Sequence, residues 1–130
     1  MDEDYQLAFA AIVLPVLRQF APDLIIVSAG FDAHERDPLG GMRLSTGAFA
    51  AMTRDLRSVA DAGCGGRIVS VTEGGYDLQA LAGSLDAVIE AHASTSAPSD
   101  ARWPASGVAS YRGQVAVDAV RDAQRGHWTI

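Results

Sequence analysis

The chain has 130 residues, 48% of them hydrophobic, which is enough for one compact domain with one core. Its net charge of −6, with no block of Lys and Arg, argues against a nucleic-acid or anionic-membrane surface. Cys64 is the single cysteine, which excludes an intrachain disulfide and fits a reducing, cytoplasmic setting; no apolar run approaches the ~20 residues that span a bilayer, and the acidic start MDEDYQ is unlike a signal peptide.

Tyr5, Phe9, Ile12, Val13, Val16, Leu17 and Phe20 recur at three- and four-residue spacing, which predicts a helix with one apolar face. Asp2, Glu3 and Asp4 suit its positive N-terminal end, Pro15 should kink it and Pro22 should stop it. Leu24 to Val27, in DLIIVSAG, is a continuous β-branched-rich run without alternation, the pattern of a strand buried on both faces of a parallel sheet. Ser45 or Thr46 then caps a second helix, with Phe49, Met52, Leu56, Val59 and Ala60 inward and GCGG at its end. RIVSV predicts a second buried strand. Asp77 caps a third helix whose inward face is Leu78, Leu81, Leu85, Val88, Ile89 and His92. The order α-β-α-β-α over residues 1–93 indicates the α/β class, with helices as crossovers between parallel strands. Residues 94–107, STSAPSDARWPASG, have the composition of a linker, and 108–130 predict a weaker helix and a tail docked by His127 and Trp128.

In an open parallel sheet, ligands bind beyond the carboxyl ends of the strands. The loops 28–44 and 72–77 both leave carboxyl ends, so they are expected on one side of the sheet. The first, within VSAGFDAHERDPLGG, sets Asp32, His34 and Asp37 inside six residues. Carboxylate and imidazole both bind divalent metals. The same residues also suit a plain turn, with one aspartate capping it, Asp37-Pro38 starting another and His34 solvated. Glu73-Gly74-Gly75-Tyr76 reads either as a tight turn presenting a phenol to a developing oxyanion, or as a turn with Tyr76 packed at the edge. GCGG lacks the Lys-Ser/Thr of a phosphate loop and precedes a strand. His92, on an apolar helical face, reads as a half-buried packing residue.

PDLIIVSAGFDAHERDPLGG and VTEGGYDL, in this order and at this spacing, resemble the histone deacetylase superfamily, which includes bacterial acetoin-utilisation-type proteins and acetylpolyamine amidohydrolases. Glu73 resembles the class II and bacterial branch. The helix DYQLAFAAIVLPVLRQFAPDL and the tail VRDAQRGHW are similar too, so the resemblance covers most of the chain. It implies part of a three-layer α/β/α arginase/deacetylase-like fold, and hydrolysis of N-acetyl amides, of acetyl-lysine or acetylpolyamine, at a zinc ion held by two aspartates and a histidine. Asp32 matches one of those ligands. Leu39 matches a residue lining the acyl tunnel, with Gly74 and Gly75 at the same wall, and Tyr76 matches the tyrosine that polarises the amide carbonyl. Phe31, His34, Asp37 and Glu73 match neighbouring loop positions, not ligands.

The resemblance also implies what these 130 residues lack. The paired histidines of acid–base catalysis and the other two zinc ligands belong upstream of the matched stretch. One carboxylate does not make a catalytic zinc site, and no residue remains to activate water. The chain is therefore expected to be the C-terminal third of such an enzyme, inactive alone and a poor zinc binder alone. The alternatives are a non-catalytic binding or interaction module of the same descent and an unrelated small α/β domain. Unpaired strand edges are expected to recruit either the missing N-terminal portion or a second copy. An acetylated amine is the substrate expected of the complete enzyme.

Overall fold

The computed structural model describes residues 1–94, 103, 104 and 107–130. The first helical rod comprises α1 (Asp2–Ala8), a π-helical stretch (Phe9–Val13) and α2 (Leu14–Phe20), with right-handed backbone at the junctions. Pro15 lies in the first turn of α2 and has no N–H to donate, so the widened turn just ahead of it takes up what was expected as a kink. The rod ends where Ala21 turns left-handed, at φ 50, and its N–H closes onto the Leu17 carbonyl.

Strands β1 (Ile25–Ala29) and β2 (Ile68–Thr72) pair in parallel, from Ile25 opposite Ile68 to Ala29 opposite Thr72. The crossover between them is α3 (Thr46–Gly63), whose N-cap Ser45 accepts a hydrogen bond from the Ala48 N–H. Asp77 caps α4 (Leu78–Ala93) in the same way, from the Ala80 N–H. Helix α5 (Tyr111–Gln124) lies against α1, where Asp4 accepts the Ser110 N–H at 2.6 Å. The tail is pinned by Gln19, which exchanges two 3.0 Å hydrogen bonds with the Thr129 backbone; His127 is exposed and Trp128 only half-buried.

The helices that reach the sheet cover one face of it. Ile25 with Val27 and Ile68 packs on Val59, Ala60 and Cys64 of the α3 end and on Leu14 and Leu17 of α2. A second cluster, Phe31, Leu44, Ala48, Phe49 and Val88, sits under the carboxyl ends of the strands. On the opposite face Ile26 is 68% exposed, Val69 50% and Val71 51%. The run expected to be buried on both faces is thus covered on one only by the described residues, and each strand keeps an unpaired edge. The inward face of α4 also differs from expectation. Leu78 and Ile89 are exposed, while Ala80, Ser84, Val88 and Ala91 are buried. Close approach to α3 selects the small residues, which a reading by hydrophobicity passes over.

The expected linker, 94–107, falls mostly outside the described residues. Trp103 is described, donating its indole N–H to Asp55 at 3.0 Å and meeting Phe9 edge-on at 5.8 Å. Among the described residues no helix is long and apolar enough to cross a membrane.

Candidate functional site

Both unusual loops emerge at the same end of the sheet, as parallel pairing requires. The ladder runs one step past the strands: the Glu73 N–H donates to Ala29 O at 3.1 Å and the Phe31 N–H to Gly74 O at 2.8 Å. Phe31 is buried against Phe49, with ring centroids 5.2 Å apart, and anchors the start of the first loop. The next residue, Asp32, is only partly buried and carries its carboxylate over Gly74. A Cβ at Gly74 would come within 2.6 Å of Asp32 Oδ2, one at Gly30 within 3.0 Å of Oδ1, and one at Gly40 within 1.7 Å of the Asp32 carbonyl oxygen. Glycines thus clear the space around this one acid. Beneath it lies a cavity of about 380 Å³, lined by Tyr5, Phe9, Phe31, Met52 and Leu56 among others. Burial, and then the Asp32 charge, push the Tyr5 phenol above its usual range.

His34 is buried, not solvated, which corrects that part of the plain-turn picture; Asp37 is buried too, and its carboxylate does start the turn at Pro38. His34 Nδ1 accepts the Arg36 backbone N–H at 3.1 Å, so Nε2 is the nitrogen left to donate to Thr46 Oγ1, also at 3.1 Å. Its ring lies parallel to Phe49 at 6.2 Å. With both nitrogens engaged under the loop, His34 offers no lone pair to a metal beside Asp32. The Asp37 carboxylate accepts the N–H groups of Leu39 and Gly40 at 2.9 Å each and of Tyr76 at 2.8 Å. Burial acts to raise its pKa, but the N–H groups of Tyr76, Gly40, Leu39 and Asp77 outweigh that and hold it below the ordinary carboxylate value.

The second loop presents its chemistry outward. Tyr76 is 58% exposed, so it is not packed as an edge residue, and Leu39 on the facing loop is 73% exposed. Gly75 has φ +139, and a Cβ there would meet Leu81 at 3.0 Å and Phe31 at 3.1 Å, so the turn needs glycine. Glu73 is exposed. Arg36 bridges the loops at the rim, reaching Gln79 Oε1 at 2.9 Å and Asp77 Oδ2 at 3.3 Å. His92 lies apart, on the helix-covered side, bonded to Ser70 Oγ at 2.9 Å; burial, then Arg57, lower its pKa.

The structure therefore brings Asp32, Leu39, Gly74, Gly75 and Tyr76 to one mouth, with Phe31, His34 and Asp37 as the scaffold below. Sequence reasoning did not single out Tyr5, one of several apolar-face helix residues, or Arg36, which lies inside the matched loop but was given no role. Among the described residues no group of three or more His, Cys, Asp or Glu is arranged to hold a metal ion. Asp32 has the donor chemistry and the cleared space for one, but a single carboxylate does not fit zinc by itself.

A model of the histone deacetylase domain matches residues 1–92. The chain belongs to this family. It is 47% identical over 89 residues to histone deacetylase 6 of Caenorhabditis elegans, covering 68% of this chain and 9% of that protein. To the chloroplastic histone deacetylase 10 of Oryza sativa subsp. japonica it is 46% identical over 78 residues, covering 60% of this chain and 18% of that one. The solved HDA15 HD domain superposes with a TM-score of 0.83 at 35% identity, over 98% of this chain and 33% of that one. The histone deacetylase Clr3 gives 0.84 at 33% identity, over 98% and 20%. These likenesses establish the α/β deacetylase fold. They also show that the chain spans at most a third of the proteins it matches here. The curated relatives are from a nematode and rice, so they do not single out a bacterial branch.

Proposed function

We propose that the chain is the C-terminal part of a zinc-dependent amidohydrolase domain that hydrolyses N-acetyl amides, of acetyl-lysine or acetylpolyamine, and that it turns over nothing alone. Asp32 supplies one zinc ligand, Tyr76 the phenol that polarises the amide carbonyl, and Leu39, Gly74 and Gly75 one wall of the acyl tunnel. One observation carries this reading: of the two loops that leave the same end of the sheet, one sets a partly exposed carboxylate in a glycine-cleared space and the other an exposed phenol. The remaining ligands and the base that activates water come from residues outside these 130. That complementing portion of the domain covers the bare face of Ile26, Val69 and Val71 and pairs the free strand edges. Without it, copies of the chain associate through the same surface. The bare face also supports a second reading, in which the chain keeps the fold as a non-catalytic interaction module.

Co-expression with a segment carrying paired histidines and an Asp-x-His motif is the test. The complex is expected to contain zinc and to deacetylate an acetyl-lysine peptide or an acetylated polyamine, blocked by a hydroxamate. The chain alone is expected to be inactive and, by light scattering, heavier than its 13.6 kDa monomer. Hydroxamate-sensitive turnover by the chain alone would overturn the proposal. A complex that forms without zinc or turnover would put the interaction module in its place.

A further inference from the structure

We infer that Asp37 is the positioning residue of this site, holding Tyr76 and the Leu39–Gly40 wall in register with Asp32 through three backbone hydrogen bonds. The inference rests on the deacetylase reading for its catalytic consequence, but the tie itself is a property of the chain.

Three elements of the mouth meet on this one carboxylate. Oδ1 takes both Leu39 and Gly40, which closes the turn after Pro38. Gly40 passes so close to the Asp32 carbonyl that a Cβ there would come within 1.7 Å of its oxygen, so the turn that Asp37 closes is packed against Asp32. Oδ2 takes the Tyr76 N–H, from a residue 39 positions along the chain. Tyr76 is more than half exposed, so packing fixes little of it. Its own backbone tie is therefore the nearest constraint on where the phenol points. Asp37 is 8% exposed, which shields these bonds from competing water. Both its oxygens are taken by backbone N–H groups of the loops, so it holds the site through the backbone and not through a substrate. Asparagine is the discriminating replacement. It keeps the shape and one accepting oxygen, but its NH₂ group is a donor only and cannot receive a backbone N–H.

Amide hydrogen exchange on the 130-residue chain tests the tie directly. The Tyr76 amide is expected to be protected despite the exposed side chain. Asp37→Ala should speed exchange at Leu39, Gly40 and Tyr76 by about tenfold or more, the scale of one lost hydrogen bond. Asp37→Asn should do so at Tyr76, while the amides of Leu56 and Val59 in α3 stay protected in both variants and report an intact fold. In the complemented, active complex, Asp37→Asn should lower kcat by about 10- to 100-fold, the range expected of a misplaced reacting group. KM and zinc content should stay near wild type. Unchanged Tyr76 exchange in both variants overturns the inference, and so does a wild-type kcat for Asp37→Asn in an active complex. If no complex shows turnover while Tyr76 exchange responds as stated, it is the deacetylase reading that fails and the tie that stands.

Discussion

The two loops at the carboxyl ends of the strands are built in opposite ways. The loop from Gly30 to Leu44 is self-supporting: Phe31, His34, Asp37 and Leu44 are buried, and His34 and Asp37 spend their polar atoms on hydrogen bonds within it or to Thr46 and Tyr76. The loop from Glu73 to Asp77 has no buried residue of its own. It borrows its order, through the Phe31 N–H on Gly74 O, the Asp37 carboxylate on Tyr76 N–H and Arg36 on Asp77. The longer loop therefore acts as the scaffold and the shorter one as its passenger. On the proposed reading, the self-supporting loop carries the metal ligand, which must not move, and the borrowed loop the donor that engages as charge develops.

The largest effects should separate those two roles in the complemented enzyme. Asp32→Ala is expected to abolish zinc retention and turnover together, because a three-ligand site reduced to two neither fixes geometry nor balances the ion's charge. Tyr76→Phe should keep zinc and fold and lose roughly 100- to 1000-fold in kcat, since the hydroxyl is needed only as the oxyanion forms. Metal analysis beside steady-state kinetics distinguishes them. If Asp32→Ala kept full zinc while His34→Ala lost it, the metal assignment would move to His34 and the scaffold picture would break.

Gly74→Ala probes where passenger meets scaffold. The new Cβ would stand 2.6 Å from Asp32 Oδ2, which forces the carboxylate aside without removing it. Zinc affinity is expected to fall about 10- to 100-fold, as for other changes that disturb a ligand from the next shell out. Competition against a chelator measures it, and wild-type affinity would mean that the glycine-cleared space is not part of the site.

His34→Ala should show the converse, a stability effect without a metal effect. Removing a buried ring that bonds the Arg36 N–H and Thr46 Oγ1 and lies parallel to Phe49 leaves polar groups unpaired and a void beside the core. The expected loss is roughly 1–3 kcal/mol, read from denaturant midpoints, with zinc stoichiometry in the complemented enzyme unchanged.

How much of this was legible in the sequence depended on the kind of signal. The strand–helix order, the Ser45 and Asp77 caps and the shared side of the two loops follow from local chemistry, and the structure has them. The inward face of α4 followed only in part: Val88, Leu81 and Leu85 face the core, but helix-on-helix approach rewards Ala80 and Ser84 over the larger Leu78 and Ile89. The unalternating strand signalled burial on both faces, yet the described residues cover only one, since Ile26, Val69 and Val71 are exposed on the face opposite the helix-packed one. At the site, Asp32 and Tyr76 were marked by their motifs. The buried state of His34 and the reach of Asp37 across 39 residues to the Tyr76 amide were not, because a side chain bonded to backbone leaves no trace in the identity of its partner.

The smallest expected effect concerns acid. Asp37 and Asp77 are both held below the ordinary carboxylate value of 3.8, Asp37 by backbone N–H groups that outweigh its burial, Asp77 by the Ala80 N–H first and then, against burial, by Arg36. For a carboxylate whose folded pKa lies below its unfolded one, the folded state binds fewer protons than the unfolded state in the interval between them. Its stabilisation is therefore fully present above the unfolded value and is lost as pH falls through the folded one. One of these groups ties the passenger loop to the scaffold and the other caps the helix that the passenger leads into, so acid should release the passenger first. Denaturant midpoints taken from pH 5 downward should decline for the wild-type chain and decline less steeply for Asp37→Asn, which has no carboxyl to protonate there. Tyr76 fluorescence is masked by the two tryptophans, so Tyr76 amide exchange is the better local readout, and its protection should fall before that of Val59 as the pH drops. Simultaneous loss at both positions would mean that the two loops are one cooperative unit and that the scaffold–passenger division does not hold.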